Sequence, residues 1–236
     1  MYTSFYTAAR GAMEEQTKMD VIANNFANVN NYGFKPKKAV FLDLMYYNLN
    51  NYRGDDTPLK AGTGVVVETT DTKFDPTGFV STEYDYDYAI NEDGFFMMQS
   101  PISGAVTYTR NGHFSLSQRG TQFYLVNDNG DWVLDENRNP IIVRDGQLSG
   151  TIGVFRFDIL DGMQSVGNNE YAPTAKNGTP NLVRGAKLVD HALELSGVDT
   201  AEEITQTIEA QRAYSLALRM VTTSDEIVTT INSLRQ

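Results

Sequence analysis

The stretch IANNFANVNNYGFKPKK, residues 22–38, divides the chain, because a helical pattern stops inside it. Five asparagines fall within eight positions, a glycine follows, and three lysines then surround a proline. Asparagine and glycine readily adopt the left-handed and turn conformations that end helices, and Pro36 blocks a helix from continuing. We expect the first helix to end within residues 28–32, with Gly33 in a left-handed cap and Lys35 near the negative end of the helix dipole.

Amphipathic helices are predicted on both sides of the middle of the chain. In the first helix, apolar residues repeat every seven positions at Phe5, Ala12, Met19 and Phe26, flanked by Ala9, Ile22, Ala23 and Val29. The last helix has two apolar rows, Ile204, Ile208, Gln211, Ser215 and Leu218 in one, and Tyr214, Ala217, Val221, Val228 and Ile231 in the other. Because one partner helix covers only a narrow seam, these wider stripes imply further neighbours.

Short alternating runs between the helices, such as GFFMMQS and QFYLVN, predict strands. Turn dipeptides separate them, at Asp93-Gly94, Asn111-Gly112, Asn129-Gly130 and Asp145-Gly146, and each is able to supply the residues with positive φ that tight hairpins require. In YDYDYAI, a period of two puts Tyr84, Tyr86 and Tyr88 on one face and Asp85 and Asp87 on the other. The middle region is therefore predicted to be an antiparallel β domain, either a sandwich or an open barrel.

The predicted fold class is α+β, in which long N- and C-terminal helices pair as a coiled-coil-like unit and a central antiparallel β domain lies between them in the sequence. The five predicted parts are an N-terminal assembly helix over 1–32, a linker or elbow over 33–63, the β domain over 64–161, an extended return segment over 162–198 and a C-terminal assembly helix over 199–236.

Composition excludes several classes of protein. The net charge of −11 disfavours nucleic-acid binding. No apolar run approaches the roughly 20 residues that span a bilayer, so membrane insertion is not expected, and the N-terminus lacks the pattern of a cleavable secretory signal. The absence of cysteine removes disulfides, thiolate catalysis and cysteine metal sites.

Candidate catalytic residues are few. Two carboxylate pairs could serve glycoside hydrolysis, Asp85 with Asp87 and Asp131 with Asp135, but alternating carboxylates on a strand usually form a solvated face. The run NDNGDWVLDEN fails the spacing of a calcium loop and is better explained as a hairpin turn. Neither His113 nor His191 completes a catalytic triad. We therefore expect no enzyme activity, no cofactor and no metal site.

Motifs at both ends resemble one family. ANNFANVNNYGFK (23–35) closely resembles a signature of bacterial flagellar basal-body rod and hook proteins, and IEAQRAYSLALRMVTTSDEIV (208–228) is similar to the paired C-terminal signature. YAINEDGFFMM, YTRNGHFSL and VGNNEYAPTAKNGTP resemble blocks of the family's β domain, so the resemblance covers nearly the whole chain. The positions that match the two end motifs, and that the resemblance implies as subunit contacts, are Asn24, Asn25, Asn28, Asn30, Gly33, Phe34, Gln211, Arg212, Ala213 and Tyr214.

The resemblance implies a structural subunit of the basal-body rod, which self-assembles helically into the axial drive shaft together with other rod and hook proteins. It also implies export without a cleavable signal through the flagellar type III apparatus, and an elbow of amides that joins an inner-tube helix to an outer β domain. FLDLMYYNL (41–49) resembles distal rod proteins, but the spacer after it is short for that group, so a proximal rod protein or a rod-like paralogue stays open. Two other functions are kept as alternatives, a peptidoglycan-acting enzyme and a monomeric β-rich adhesin.

Overall fold

A computed structural model describes residues 2–48, 60–144 and 146–234. The chain falls into two compact units, each built from separate stretches of sequence. The helical unit comprises Met1–Ala27, Lys37–Asp71 and Asp199–Gln236, and the β unit comprises Asn28–Pro36 and Thr72–Val198. The asparagine-rich stretch is therefore split, because residues up to 27 belong to the helical unit and residues 28–36 to the β unit.

Over the residues that the structure describes, the helical unit consists of two long helices and four strands. Asp199 caps the second helix by accepting the backbone N–H groups of Ala201 and Glu202. The two helices pack against each other. The first and fourth strands pair with each other, as do the second and third. The elements are α1 (Tyr2–Ala27), β1 (Lys37–Asp43), β2 (Tyr46–Asn48), β3 (Lys60–Gly62), β4 (Val65–Thr72) and α2 (Thr200–Ser233).

The β unit is built from fifteen short strands within the described residues. They are β5 (Phe79–Ser81), β6 (Tyr88–Ile90), β7 (Phe95–Gln99), β8 (Val106–Thr109), β9 (Ser115–Arg119), β10 (Gln122–Val126), β11 (Trp132–Val133), β12 (Ile142–Arg144), β13 (Gln147–Leu148), β14 (Val154–Arg156), β15 (Gln164–Gly167), β16 (Glu170–Ala172), β17 (Asn181–Leu182), β18 (Leu188–Asp190) and β19 (Ala192–Glu194).

One antiparallel sheet of eleven strands dominates this unit, with the order β13-β12-β10-β11-β7-β8-β16-β15, while β9 pairs with β10 and β14 pairs with both β7 and β17. Strand β7 lies at its centre and is buried on both faces. Phe96 and Met98 enter one hydrophobic cluster, whereas Phe95 and Met97 enter another. The period of two in FFMM therefore places apolar side chains in two cores at once.

The first helix ends at Ala27, one residue before the predicted range. Gly33 does adopt the left-handed conformation, at φ 65°, but it lies six residues beyond the helix end and is not its cap. A Cβ at this position would lie 2.6 Å from the backbone carbon of Arg110, so glycine is required by a close approach of two chain segments as well as by φ.

Two predictions about the β region are wrong. Residues 84–86 form a turn, and the strand begins only at Tyr88, so the alternation in YDYDYAI does not define two sheet faces. Gly112 has no positive φ; a Cβ there would meet the carbonyl oxygen of Tyr88 at 1.6 Å, so a crowded backbone contact requires this glycine. Of the remaining turn residues, Asp145 lies outside the described residues.

The predicted return segment, residues 162–198, contributes β15 to β19 and pairs through them with strands from the earlier part of the β unit. For example, β16 pairs with β8 and β19 pairs with β5. These strands are two to four residues long, which is too short for periodicity to be visible in the sequence.

Candidate assembly surfaces

The residues of helix α2 that α1 covers form one narrow line along the helix. Eight of the ten buried and half-buried positions follow alternating steps of four and three residues, which is the spacing of a helix seam; Gln206 and Ala213, also half-buried, lie beside it. This covered row consists of Glu203, Thr207, Ala210, Tyr214, Ala217, Val221, Ser224 and Val228. It contains all but Ile231 of the second apolar row predicted from the sequence; Ile231 is exposed.

Two further apolar rows on α2 are exposed, one on each side of the covered row. Their large apolar residues are between 42 and 60 % exposed. We name the two rows by their members: row A is Ile204, Ile208, Gln211, Ser215 and Leu218, and row B is Leu216, Met220, Thr223 and Ile227. Because successive residues of a helix are about 100° apart, a row shifted by one position lies on the neighbouring flank. α1 therefore covers only the middle of a broad apolar surface.

The matching seam on α1 agrees with the sequence pattern except at its end. Ala12 and Ile22 are buried, but Phe26 is exposed and Asn25 is buried in its place. The cause is β1, whose first residue bonds to Asn25. The Asn25 Nδ2 donates to the carbonyl oxygen of Lys37 at 2.8 Å, and the Lys37 N–H donates to Asn25 Oδ1 at 2.9 Å.

Asn25 also links the two helices. Its Nδ2 donates to Glu203 Oε1 at 2.9 Å, and both side chains are buried. The other carboxylate oxygen, Glu203 Oε2, has no hydrogen-bond partner among the described residues. Burial raises the pKa of Glu203, and the hydrogen bond from Asn25 opposes this only in part. A polar pair inside an otherwise apolar seam fixes which residues of the two helices face each other.

This pairing makes the stability of the helices depend on pH. A carboxyl whose pKa is raised on folding adds stability below its unfolded pKa, and that stability is lost as pH rises through the folded pKa. We expect Glu203→Gln to raise the free energy of unfolding at pH 7 by about 1 kcal/mol and to have no such effect near pH 4. Urea unfolding followed by circular dichroism measures both, with exposed Glu209→Gln as the control. An equal pH dependence of the variant and the parent would contradict this interpretation.

The β unit contains a buried ionic cluster next to the N-terminal motif. Lys35 Nζ lies 2.7 Å from Glu194 Oε1 and donates to the carbonyl oxygen of Asp75 at 2.6 Å. Arg110 Nη1 lies 3.2 Å from Glu194 Oε2, and the Thr77 N–H donates to Glu194 Oε1 at 3.1 Å. The three charged side chains are at most 2 % exposed. Lys35 therefore does not serve the helix dipole, as the sequence suggested, but anchors the segment after α1 inside the β unit.

Two cations share one carboxylate in this cluster. Burial lowers the pKa of Lys35, while attraction to Glu194 raises it and Arg110 lowers it further. Because two buried cations face a single buried carboxylate, Glu194 is the group on which the cluster depends. Burial likewise raises the pKa of the neighbouring Tyr171 to about 12, so its phenol stays neutral.

The sequence motifs did not reveal this cluster. Lys35 lies inside the quoted motif, but Arg110 and Glu194 lie 75 and 159 residues further along the chain. A lysine between Phe34 and Pro36, in a segment that cannot be helical, was the available hint. Its partner could not be named, because nothing local marks a buried glutamate in HALELSG.

The ten predicted contact residues have different environments. Asn24, Asn30, Gln211 and Arg212 are exposed, whereas Asn28, Ala213 and Tyr214 are half-buried and Asn25, Gly33 and Phe34 are buried. The Asn28 carbonyl oxygen accepts the Ser196 hydroxyl at 3.0 Å, and the Gly33 N–H donates to the carbonyl oxygen of Glu194 at 2.8 Å. Three of the six N-terminal motif positions, Asn25, Gly33 and Phe34, are therefore buried inside the units to which they belong.

The carboxylate pairs do not form paired acids. Asp87 is buried, with Oδ1 2.8 Å from His113 Nδ1, while Asp85 is exposed in a turn. Asp135 accepts the N–H groups of Asn137 and Asn139, which closes a hairpin turn. Across the described ranges, no group of three or more His, Cys, Asp or Glu side chains could hold a metal ion. In the same ranges, no helix combines the length and apolar character needed to cross a bilayer.

Three family models match the chain. "Flagella basal body rod protein" matches residues 5–35, "Flagellar hook protein FlgE/F/G D1 domain" matches 89–154, and "Flagellar basal body rod FlgEFG protein C-terminal" matches 189–234. The flagellar basal-body rod protein FlgG of Buchnera aphidicola subsp. Acyrthosiphon pisum is 33% identical, over 99% of this chain and 100% of its own length. The chain belongs to the flagellar basal-body rod protein family. The two long helices thus correspond to the matched terminal regions of this rod-family protein.

Other relatives agree with this assignment. FlgG of Bacillus subtilis strain 168 is 32% identical over the full length of both chains, and FlgF of Caulobacter vibrioides is 32% identical over 96% of this chain and 95% of its own length. The rod-family protein is accordingly a structural component of the flagellar basal body and not an enzyme. Neither a wall-degrading enzyme nor a monomeric adhesin is supported. Relatives named FlgG and relatives named FlgF both align with the chain. A distal rod protein, a proximal rod protein and a rod-like paralogue therefore all stay open.

Proposed function

We propose that copies of this protein assemble helically into the rod through the exposed rows of α2. The observation that supports this is the apolar surface of rows A and B on either side of the covered row. Burying a leucine or isoleucine side chain stabilises by about 1.5–3 kcal/mol, and contiguous exposed apolar rows are uncommon on monomers. A helix from another copy is the partner that matches a row with this spacing.

The pairing of α1 with α2 is proposed to be coiled-coil-like. The steps of four and three along the covered row support this, as does the buried Asn25–Glu203 pair, since one polar pair in an apolar seam commonly sets register. The two assembly segments are thus α1 and α2.

An open polymer follows from the difference between the two exposed rows. Row A has a polar centre at Gln211 and Ser215, whereas row B is more apolar, with Leu216, Met220 and Ile227. If row A of one copy packs against row B of the next, the contact is heterologous, and such contacts extend into helical filaments. The exposed members of the two motifs, Asn24, Asn30, Gln211 and Arg212, are proposed to make hydrogen bonds between subunits.

Rod proteins assemble with other rod and hook components, and these are proposed as further partners at the ends of a stack of identical subunits. Export through the flagellar type III apparatus without a cleavable signal is also proposed. A chain of 236 residues without cysteine has no disulfide to form or break on such a route.

Cysteine protection tests the assembly contact, because the natural chain has no cysteine. Single variants Ile208→Cys and Leu218→Cys place a thiol in row A. We expect both thiols to react with a maleimide in the monomer and to become at least about tenfold slower on assembly, because a packed interface excludes the reagent.

Two variants on the same helix serve as controls. Ala210→Cys lies in the covered row and should react slowly in both states, whereas Thr205→Cys lies on the polar side and should stay reactive. If the row A thiols stay as reactive in the assembled protein as in the monomer, these rows are not the subunit contact.

A further inference from the structure

A polar cleft lies in the β unit and shares no residue with rows A and B of α2, although Asn30, proposed above as an intersubunit contact, is one of its lining residues. It encloses about 570 Å³, within the range of about 300–1,000 Å³ usual for small-molecule sites. Eight of its seventeen lining residues are asparagine, and they come from segments far apart in the chain. Leu193 is its one aliphatic residue, and it is buried.

Hydrogen bonds hold the asparagines of this asparagine cleft in place. The Nδ2 atoms of Asn127 and Asn129 both donate to Glu170 Oε1 at 2.7 Å. Asn168 Nδ2 donates to Asn129 Oδ1 at 2.8 Å, and Asn169 Nδ2 donates to the carbonyl oxygen of Tyr32 at 3.1 Å. The cleft is thus preorganised, because its amides need not rearrange to receive a ligand.

The charges in the cleft exclude anionic ligands. Asp87, Asp128 and Glu170 line it, and no lysine or arginine does among the described residues. Phosphate and carboxylate groups would meet repulsion with no cation to pair with them. The described carboxylates also lack the clustering that a metal ion needs. The ligand that fits is neutral and polar.

The same surface offers both donors and acceptors, together with aromatic rings. An asparagine amide donates and accepts, as a sugar hydroxyl does. Tyr84 is 67 % exposed and Tyr32 is 41 % exposed, so both rings are available to stack on a sugar ring.

We propose that the asparagine cleft binds an uncharged oligosaccharide. An extended peptide fits less well, because its recognition commonly uses an open strand edge or apolar side-chain pockets, and most of the residues that line this cleft are polar. The proposal concerns the β unit of a single chain and does not depend on how subunits assemble.

Titration of the ¹⁵N-labelled full chain followed by NMR tests this, with N-acetylglucosamine tetramer and maltotetraose as probes. We expect saturable amide shifts for at least one probe at residues of the cleft, with a Kd of about 1 mM or tighter. Tyr84→Ala should raise that Kd at least about tenfold through loss of ring stacking. Tyr6→Ala is the matched control, because Tyr6 is equally exposed, at 67 %, but lies in α1.

Three results would overturn the proposal. The first is the absence of saturable shifts for both oligosaccharides at about 10 mM, roughly ten times the expected Kd. The second is binding that Tyr84→Ala and Tyr6→Ala weaken equally, since this indicates contact outside the cleft. The third is equally tight binding of an uncharged glycine–serine peptide, since that indicates recognition of peptide groups.

Discussion

Replacing Ile208 and Leu218 together by glutamate is expected to abolish assembly and to leave the monomer folded. Both side chains are about half exposed in the monomer, so the substitutions cost little there. In the proposed contact, each substitution would remove about 1 kcal/mol of stabilisation from apolar burial. Each would also place a carboxylate against apolar surface, which costs more. A total near 3 kcal/mol corresponds to a rise of more than about a hundredfold in the concentration needed to polymerise.

Sedimentation of the purified full chain measures that concentration, and circular dichroism checks that the monomer keeps its helices. The matched control is Thr205→Glu with Thr230→Glu, which adds the same charge at two exposed positions on the polar side of α2. If the control raises the threshold as much as the row A variant, general charge repulsion explains the effect and the assembly proposal fails.

Removing the buried carboxylate of Glu194 should have the largest effect on the β unit. Glu194→Gln leaves Lys35 and Arg110 buried with no counter-charge, and breaking a buried ion pair on one side costs about 3–5 kcal/mol. Lys35→Met should cost much less, because Glu194 then keeps Arg110 as its partner and the excess positive charge is removed. Glu194→Gln should therefore lower the free energy of unfolding more than Lys35→Met does, although Lys35 and not Glu194 lies in the signature motif.

Urea unfolding at pH 7 measures this difference. Lys73→Gln is the surface control, because the Lys73–Asp75 pair is 67 and 70 % exposed, and pairs of that kind contribute only about 0–1 kcal/mol. A buried lysine with a lowered folded pKa destabilises the fold while it is charged, and this cost falls as pH rises through the folded pKa. The stability loss caused by Glu194→Gln should therefore shrink as pH rises from 7 towards the usual pKa of lysine. Equal losses for Lys35→Met and Glu194→Gln would contradict this account.

The parts of the fold that local physics determines were predictable. The helices follow from apolar spacing, and the end of α1 near residue 28 follows from asparagine and proline chemistry. Row A and the apolar row that begins at Tyr214 were also visible in the sequence. The sequence did not show that α1 covers the row with Tyr214 and leaves row A exposed. That depends on a helix more than 170 residues earlier in the chain.

The failures share a physical cause. Tyr84 and Tyr86 alternate with aspartates as a strand would, yet the Asp87 N–H donates to the Tyr84 carbonyl oxygen in a turn, and the Asp87 carboxylate contacts His113. Lys35, expected near the end of the first helix dipole, is instead buried against Glu194. In both cases a contact with a residue far along the chain outweighed a local preference.

The four passages of the chain between its two units impose an order on folding. Helix α1 is made first during synthesis, but its partner α2 follows all of the β unit in the chain. The seam between them closes a loop of more than 170 residues, and contacts of such separation form late. Rows A and B lie on α2, so we expect the surface proposed for polymerisation to be placed correctly only after the rest of the subunit is available to fold.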